Sequence, residues 1–171
     1  IVNPYDLFAL EEALRLKDQF GGKVTMLCMG PPQAEDALKK CISFGADDAV
    51  LVTDRSFAGA DTLATSYALA AAISQIGREQ KVDIVFTGKQ TIDGDTAQVG
   101  PGIAKRLGLQ LLTYVSRIAE LDIENARITV ERRAEGGVQV LQTAMPCLIT
   151  MLEGTNEMRF APLENMIHAA R

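Results

Sequence analysis

The chain has 171 residues, 47% of them apolar, which fits one domain with a sizeable core. Seventeen basic against twenty-two acidic residues give a net charge of −5 without a basic cluster, which argues against nucleic-acid binding. No run approaches the ~18–20 uninterrupted apolar residues of a membrane span, so membrane insertion is not expected.

Asn3 and Pro4 precede YDLFALEEALRLKDQF, where Leu7, Leu10, Leu14 and the pair Ala9/Ala13 recur at helical spacing until Gly21 and Gly22. KVTMLCM is a strand-length apolar run. Gly30 turns the chain, and Pro31 or Pro32 suits the first turn of a helix through AEDALKKCISF, which Gly45 stops. AVLVT is a second buried strand. After DRSFAGAD comes a small-residue helix with Asp61 or Thr62 as its cap. VDIVFTG is a third strand and TAQVGPGIAKRLG a third helix in the core pattern. Helices alternating with continuous apolar strands predict crossover units: an α/β, doubly wound, mostly parallel sheet with flanking helices, Rossmann-like. Beyond Leu109 the pattern changes. ITVERRAEGGVQVLQTAMPCLITM alternates around Gly136-Gly137, predicting a C-terminal β-hairpin, and APLENMIHAA closes as a helix.

Cys28, Cys41 and Cys147 lack metal-ligand spacing, and with His168 the single histidine a zinc site is not expected. A reduced, cytoplasmic compartment of a bacterium is the simplest setting for unpaired thiols. The opening IVNPYDLFALEEALRLKD has no initiator Met and reads as a chain entered midway, without its targeting information.

Ligands of open α/β sheets settle outside the carboxyl ends of the strands. Three loops are candidates for that edge: CMGPP, TDRSFAGAD and TGKQTIDGDTAQ. The third has the most groups able to approach a phosphate through backbone, although Asp93 and Asp95 would repel one. An anion at a helix start is held by unpaired N–H groups and the positive end of the dipole. Asp95 is therefore expected to cap the helix, leaving the amides of Thr96, Ala97, Gln98 and Val99 near the ligand. Gly94 allows close approach, and Asp93 can accept from ribose or ring hydroxyls. DGDT reads equally well as a turn and an N-cap with no ligand.

Other motifs fit less well. A calcium loop would need a bidentate Glu where Ala104 stands. Gly88-Lys89 lacks the remainder of a Walker A loop, and Lys105 replaces the third glycine of a dinucleotide fingerprint begun at Gly100-Pro101-Gly102. There is no G-x-S-x-G elbow, His168 is expected at the surface, and Glu11-Glu12 reads as a solvated helix face. Any reaction involving this chain then needs a cofactor.

NPYDLFALEEALRLK, MGPPQAEDALKKCISFGADDAVLVTD, FAGADTLATSYALA and GKQTIDGDTAQVGP, in this order, resemble the β-subunit of electron-transfer flavoprotein. VERRAEGGVQVLQTAMPCLIT is similar to the family's signature segment. The resemblance spans nearly the whole chain and implies a heterodimer whose α-subunit holds a redox-active FAD. In the simple type the β-subunit holds AMP, and in the electron-bifurcating type a second FAD. It implies nucleotide contacts at Asn3, at Met29 and from Gly88 through Gly100, notably Thr91, Asp93, Gly94, Asp95, Thr96, Ala97, Gln98 and Val99.

The simple type usually has DDDCNQT where this chain has DGDTAQV, which resembles the bifurcating pattern. That type implies NADH as donor, with ferredoxin or flavodoxin as one acceptor. The other electron passes through the α-subunit FAD to an acyl-CoA dehydrogenase. Residues 1–171 are then one nucleotide-binding domain lacking the family's first strand and its C-terminal arm. The simple type's partner loop presents a leucine where Thr155 aligns. The alternatives are a simple, AMP-holding β-subunit or a non-redox adenine-nucleotide-binding module. An ATP-pyrophosphatase is disfavoured because no SGGxDS loop appears.

Overall fold

The computed structural model describes residues 1–170. Helix α1, Pro4–Phe20, begins where proline needs no N–H partner, and ends at Gly21, whose φ of 77° suits glycine. Strand β1, Thr25–Met29, leads through a 3-10 turn at Pro32–Ala34 to α2, Glu35–Phe44, and β2, Asp48–Val52. Helix α3, Thr62–Glu79, is capped by Asp61, whose carboxylate accepts from the Ala64 N–H at 2.8 Å. β3, Ile84–Gly88, and α4, Val99–Leu107, complete the crossover half. Then come β4, Gln110–Asp122; β5, Arg127–Ala134; β6, Gly137–Ala144; β7, Cys147–Met151; and α5, Leu163–Ala169. No helix among the described residues is long and apolar enough to cross a membrane.

The fold is mixed α/β, with sheet flanked by helices, but the strands form two sheets rather than one. β1 and β2 pair in parallel, and a five-stranded sheet runs β3-β7-β4-β5-β6. β7 lies between β3 and β4, parallel to both, and every residue of it is buried. Leu148 faces α3 and α4, where it packs with Ala70, Ile103 and Ala104. Cys147, Ile149 and Met151 face the other way, into a core with Ala9 of α1 and Val115, Ile128 and Val130 of the sheet. Covered on both faces, such a strand reads as a continuous apolar run.

Two expectations change here. The hairpin around Gly136-Gly137 forms from β5 and β6, but CLITM leaves it and returns to the sheet as β7. β4 had no sequence signal. Tyr114 takes φ 56°, and register shifts after Leu112, Val115 and Ile118 break the period of two. The result is an antiparallel meander, β4-β5-β6, fused to a short parallel unit.

Among the described residues β1 pairs only with β2, and β3 only with β7. Residues of β1 and β3 together line one cavity whose walls include Leu69, Ile73 and Ile76 of α3. This apolar slot opens upward into the candidate site.

Glu11 is not solvated as the helical pattern suggested. It is only 4% exposed, and the segment after β7 covers it. Arg159 donates to it from Nε at 2.9 Å, from Nη2 at 3.1 Å and from its backbone N–H at 3.1 Å. Arg15 adds a contact at 3.3 Å. Burial pushes the Glu11 carboxyl up, but the hydrogen bonds and charge of Arg159, helped by Arg15, hold it below its ordinary 4.5. The pairing therefore stabilises the fold above that pH, and its contribution disappears as pH falls through the lowered value. Arg159→Ala, which leaves the Glu11 carboxylate with Arg15 alone, should cost about 1–3 kcal/mol at pH 7 in denaturant unfolding, less as Glu11 takes up a proton in acid. An equal deficit at pH 7 and pH 4 would contradict this.

Candidate nucleotide site

Everything at the carboxyl end of β3 is set by Gly88. A Cβ there would lie 2.6 Å from the backbone carbon of Tyr5 and 2.8 Å from the Asp6 nitrogen, so the first turn of α1 rests directly on the strand. The Gly88 N–H donates to Asp6 Oδ1 at 2.6 Å, and Asn3 Nδ2 donates to Asp6 Oδ2 at 3.0 Å. Asn3 Nδ2 also donates to the Gln90 carbonyl at 2.9 Å, joining α1 to the loop. Burial raises the Asp6 carboxyl above the usual carboxylate range, although both hydrogen bonds oppose the shift. The Lys89 ammonium sits 5.8 Å from the centre of the Tyr5 ring.

The loop then folds on itself. The Gly94 N–H donates to Thr91 Oγ1 at 3.2 Å and the Asp95 N–H to the Thr91 carbonyl at 3.2 Å. Gln90 Nε2 donates to the Asp95 carboxylate. Gly94 needs no left-handed backbone; the one atom a Cβ there would crowd is Thr91 Oγ1, at 2.9 Å. Asp95 and Ala97 do take left-handed φ values, 53° and 54°. Such residues carry strain of order 1–3 kcal/mol and persist only where surroundings hold them.

Asp95 does not cap α4. The N-cap position belongs to Gln98, which makes no side-chain capping bond and instead accepts from Thr62 Oγ1 at 2.7 Å. The reason is local: the turn begun at Thr91 has already committed the Asp95 carboxylate to Gln90. Left-handed Ala97 followed by Gln98 at φ −97° and ψ −25° alternates handedness, which turns successive N–H groups toward one concave side. The amides of Thr96, Ala97, Gln98 and Val99 have no hydrogen-bond partner among the described residues. Two buried side-chain oxygens, Asn3 Oδ1 and Thr87 Oγ1, are also without partners. Buried acceptors and free amides around one space are the hydrogen-bonding complement of a bound polar molecule.

These groups share a cavity of about 1040 Å³. Asn3, Met29, Gly88, Thr91, Gly94, Thr96, Ala97, Gln98, Val99 and Gly100 all line it; Asp93 and Asp95 do not. Of the three candidate loops, the third supplies the most lining residues, the first contributes Cys28 and Met29, and residues 53–61 contribute nothing. Lys89 and Gln90, inside the expected Gly88–Gly100 stretch, line it too, and Asp6 and Thr62 line it without having been anticipated as contacts. The only sequence signal for Asp6 was an acidic residue in the first turn of a helix, which helix-dipole stabilisation explains on its own. No group of three or more His, Cys, Asp or Glu side chains that could hold a metal ion occurs among the described residues.

The family profile of the electron transfer flavoprotein domain matches residues 1–170. The chain belongs to the electron transfer flavoprotein family. It is 72% identical to Protein FixA of Azotobacter vinelandii over 171 residues, covering 100% of this chain and 61% of that protein. It is 68% identical over 172 residues to Protein FixA of Azorhizobium caulinodans, again covering 100% and 61%. Against the electron transfer flavoprotein subunit beta of Clostridium acetobutylicum it is 47% identical over 169 residues, covering 99% and 62%. The chain thus spans about three-fifths of the length of these relatives, and the likeness is to the β-subunit side of the electron transfer flavoprotein family.

The Gly88 contact gives a direct test. Gly88→Ala forces the α1 turn off β3 and should cost about 1–3 kcal/mol, the usual penalty of overpacking, while loosening the loop that follows. An unchanged thermal midpoint would show that the first turn of α1 does not bear on the strand.

Proposed function

We propose that this chain is the nucleotide-holding part of an electron-transfer flavoprotein β-subunit, and that the ligand at the 88–100 loop is FAD. The observation that carries the reading is the row of unpartnered amides from Thr96 to Val99, in the wall of a cavity that Asn3 also lines. Convergent N–H groups hold a pyrophosphate without any side-chain cation, and Lys89 adds positive charge nearby. The unpartnered Asn3 Oδ1 suits a hydroxyl or amine of the same ligand. When bound, the flavin supplies hydride acceptance and single-electron transfer, and this chain supplies position and electrostatics.

In the complete heterodimer the donor would be NADH. The acceptors would be ferredoxin or flavodoxin on one branch and, through the α-subunit FAD, an acyl-CoA dehydrogenase on the other. The preference for FAD over a structural AMP rests on DGDTAQV. A Cβ at Gly94 would lie 2.9 Å from Thr91 Oγ1, so a bulky acidic residue at that position would displace the Thr91 hydroxyl from the Gly94 N–H. The reading also gives the slot between β1 and β3 an occupant. A strand seated there would satisfy both free edges and join the two sheets into one.

The test is a cofactor count on the complete heterodimer. Two FAD per heterodimer, with NADH bleaching the flavin absorbance, is the expected result. One FAD and one AMP, with no NADH-dependent bleaching, would refute the FAD reading and leave the family assignment untouched.

A further inference from the structure

Asp6 carries no charge partner. No lysine or arginine forms an ion pair with it among the described residues, and it lies in a cavity wall that otherwise faces an anion site. A carboxylate in that place opposes phosphate binding by simple repulsion unless it does something else. Its two oxygens are divided between two jobs. Oδ1 takes the Gly88 N–H at 2.6 Å, at the last residue of β3, and Oδ2 takes Asn3 Nδ2 at 3.0 Å. Asn3 passes the constraint on to the Gln90 carbonyl at 2.9 Å, two residues further along. The Lys89 N–H, bonded to the Met151 carbonyl of β7 at 2.8 Å, shares in holding the end of the strand, and Asp6 adds the link from that point to the course of the next two residues. The other end is fastened by Thr62 on Gln98, so the left-handed residues Asp95 and Ala97 lie between two anchors.

We propose that Asp6 is a positioning residue for the nucleotide site, holding the 88–98 loop in the strained shape that aims its amides at the ligand. This rests on the reading that the loop binds a nucleotide phosphate. With Oδ1 committed to Gly88 and Oδ2 to Asn3, Asp6 acts through Gly88, Asn3 and Gln90. Only an acceptor with two free oxygens meets both donors. An amide at the same position keeps Gly88 but presents N–H₂ to the N–H₂ of Asn3. Asn3 can relieve that clash only by turning over, which brings its partnerless Oδ1 to position 6 and takes Nδ2 away from Gln90.

The experiment uses the complete heterodimer, stripped of nucleotide and titrated separately with FAD and with AMP. Asp6→Ala should weaken the nucleotide that the wild type binds by at least tenfold. Asp6→Asn should weaken it several-fold, by more than the small drop in its nucleotide-free midpoint accounts for. That separation of affinity from stability is what a merely structural side chain would not produce. Wild-type affinity in both variants would overturn the proposal while leaving the site reading in place. A loss of affinity in Asp6→Asn that only follows a loss of nucleotide-free stability would overturn it too. A wild-type heterodimer that binds neither nucleotide at this loop would remove the site reading and the proposal with it.

Discussion

The first turn of α1 lies on the carboxyl end of β3 at a separation that only a glycine at position 88 permits. That contact brings Asn3 and Asp6 to the edge of the sheet, where their side chains bind the strand's last N–H and the loop's first carbonyls. It also closes one side of the cavity, since Asn3 and Asp6 stand on the wall shared with Gly88 and Gln90. Without it the 88–98 loop would keep the Lys89 N–H bond to the Met151 carbonyl and the Thr62 bond to Gln98, but would lose the Asn3 bond to Gln90 that lies between them and the left-handed residues. Local strain at a binding loop is stable only when surrounding contacts over-determine it.

The same economy governs the charge of the site. An acidic loop in an acidic protein can bind an anion because the binding groups are backbone amides. Asp93 and Asp95 line no part of the cavity. Asp93 is held below the usual carboxylate range by the Thr91 hydroxyl and neighbouring backbone N–H groups, and Asp95 is bound to Gln90. Both carboxylates shape the turn from outside. What remains in the lining is a set of free amide donors together with the unpartnered oxygens of Asn3 and Thr87, a mixture that on the proposed reading suits a nucleotide better than a free phosphate.

Much of this was legible in the sequence, and where it was not the cause is physical. The crossover half could be read because its helices and strands keep clean periods and are punctuated by Gly21, Gly45 and Asp61. β4 could not, because three register shifts and a left-handed Tyr114 erase the alternation that marks a strand. Glu11 looked like a solvated face because its partner Arg159 lies 148 residues away in sequence. Most of the loop residues singled out do line the cavity, since a strand–loop–helix pattern localises them. The cap was misplaced because Asp95 is drawn back to Gln90, a preference that no capping rule contains. Asp6 went unnoticed because its role depends on Gly88 being close enough to bond.

Amide hydrogen exchange on the complete heterodimer, with and without its nucleotide, tests the central claim most directly. Backbone amides of Thr96, Ala97, Gln98 and Val99, which have no partner in the protein, should become strongly protected when nucleotide binds, with residues 53–61 unchanged. Nucleotide bound at full stoichiometry with those four amides exchanging as fast as before would contradict the account.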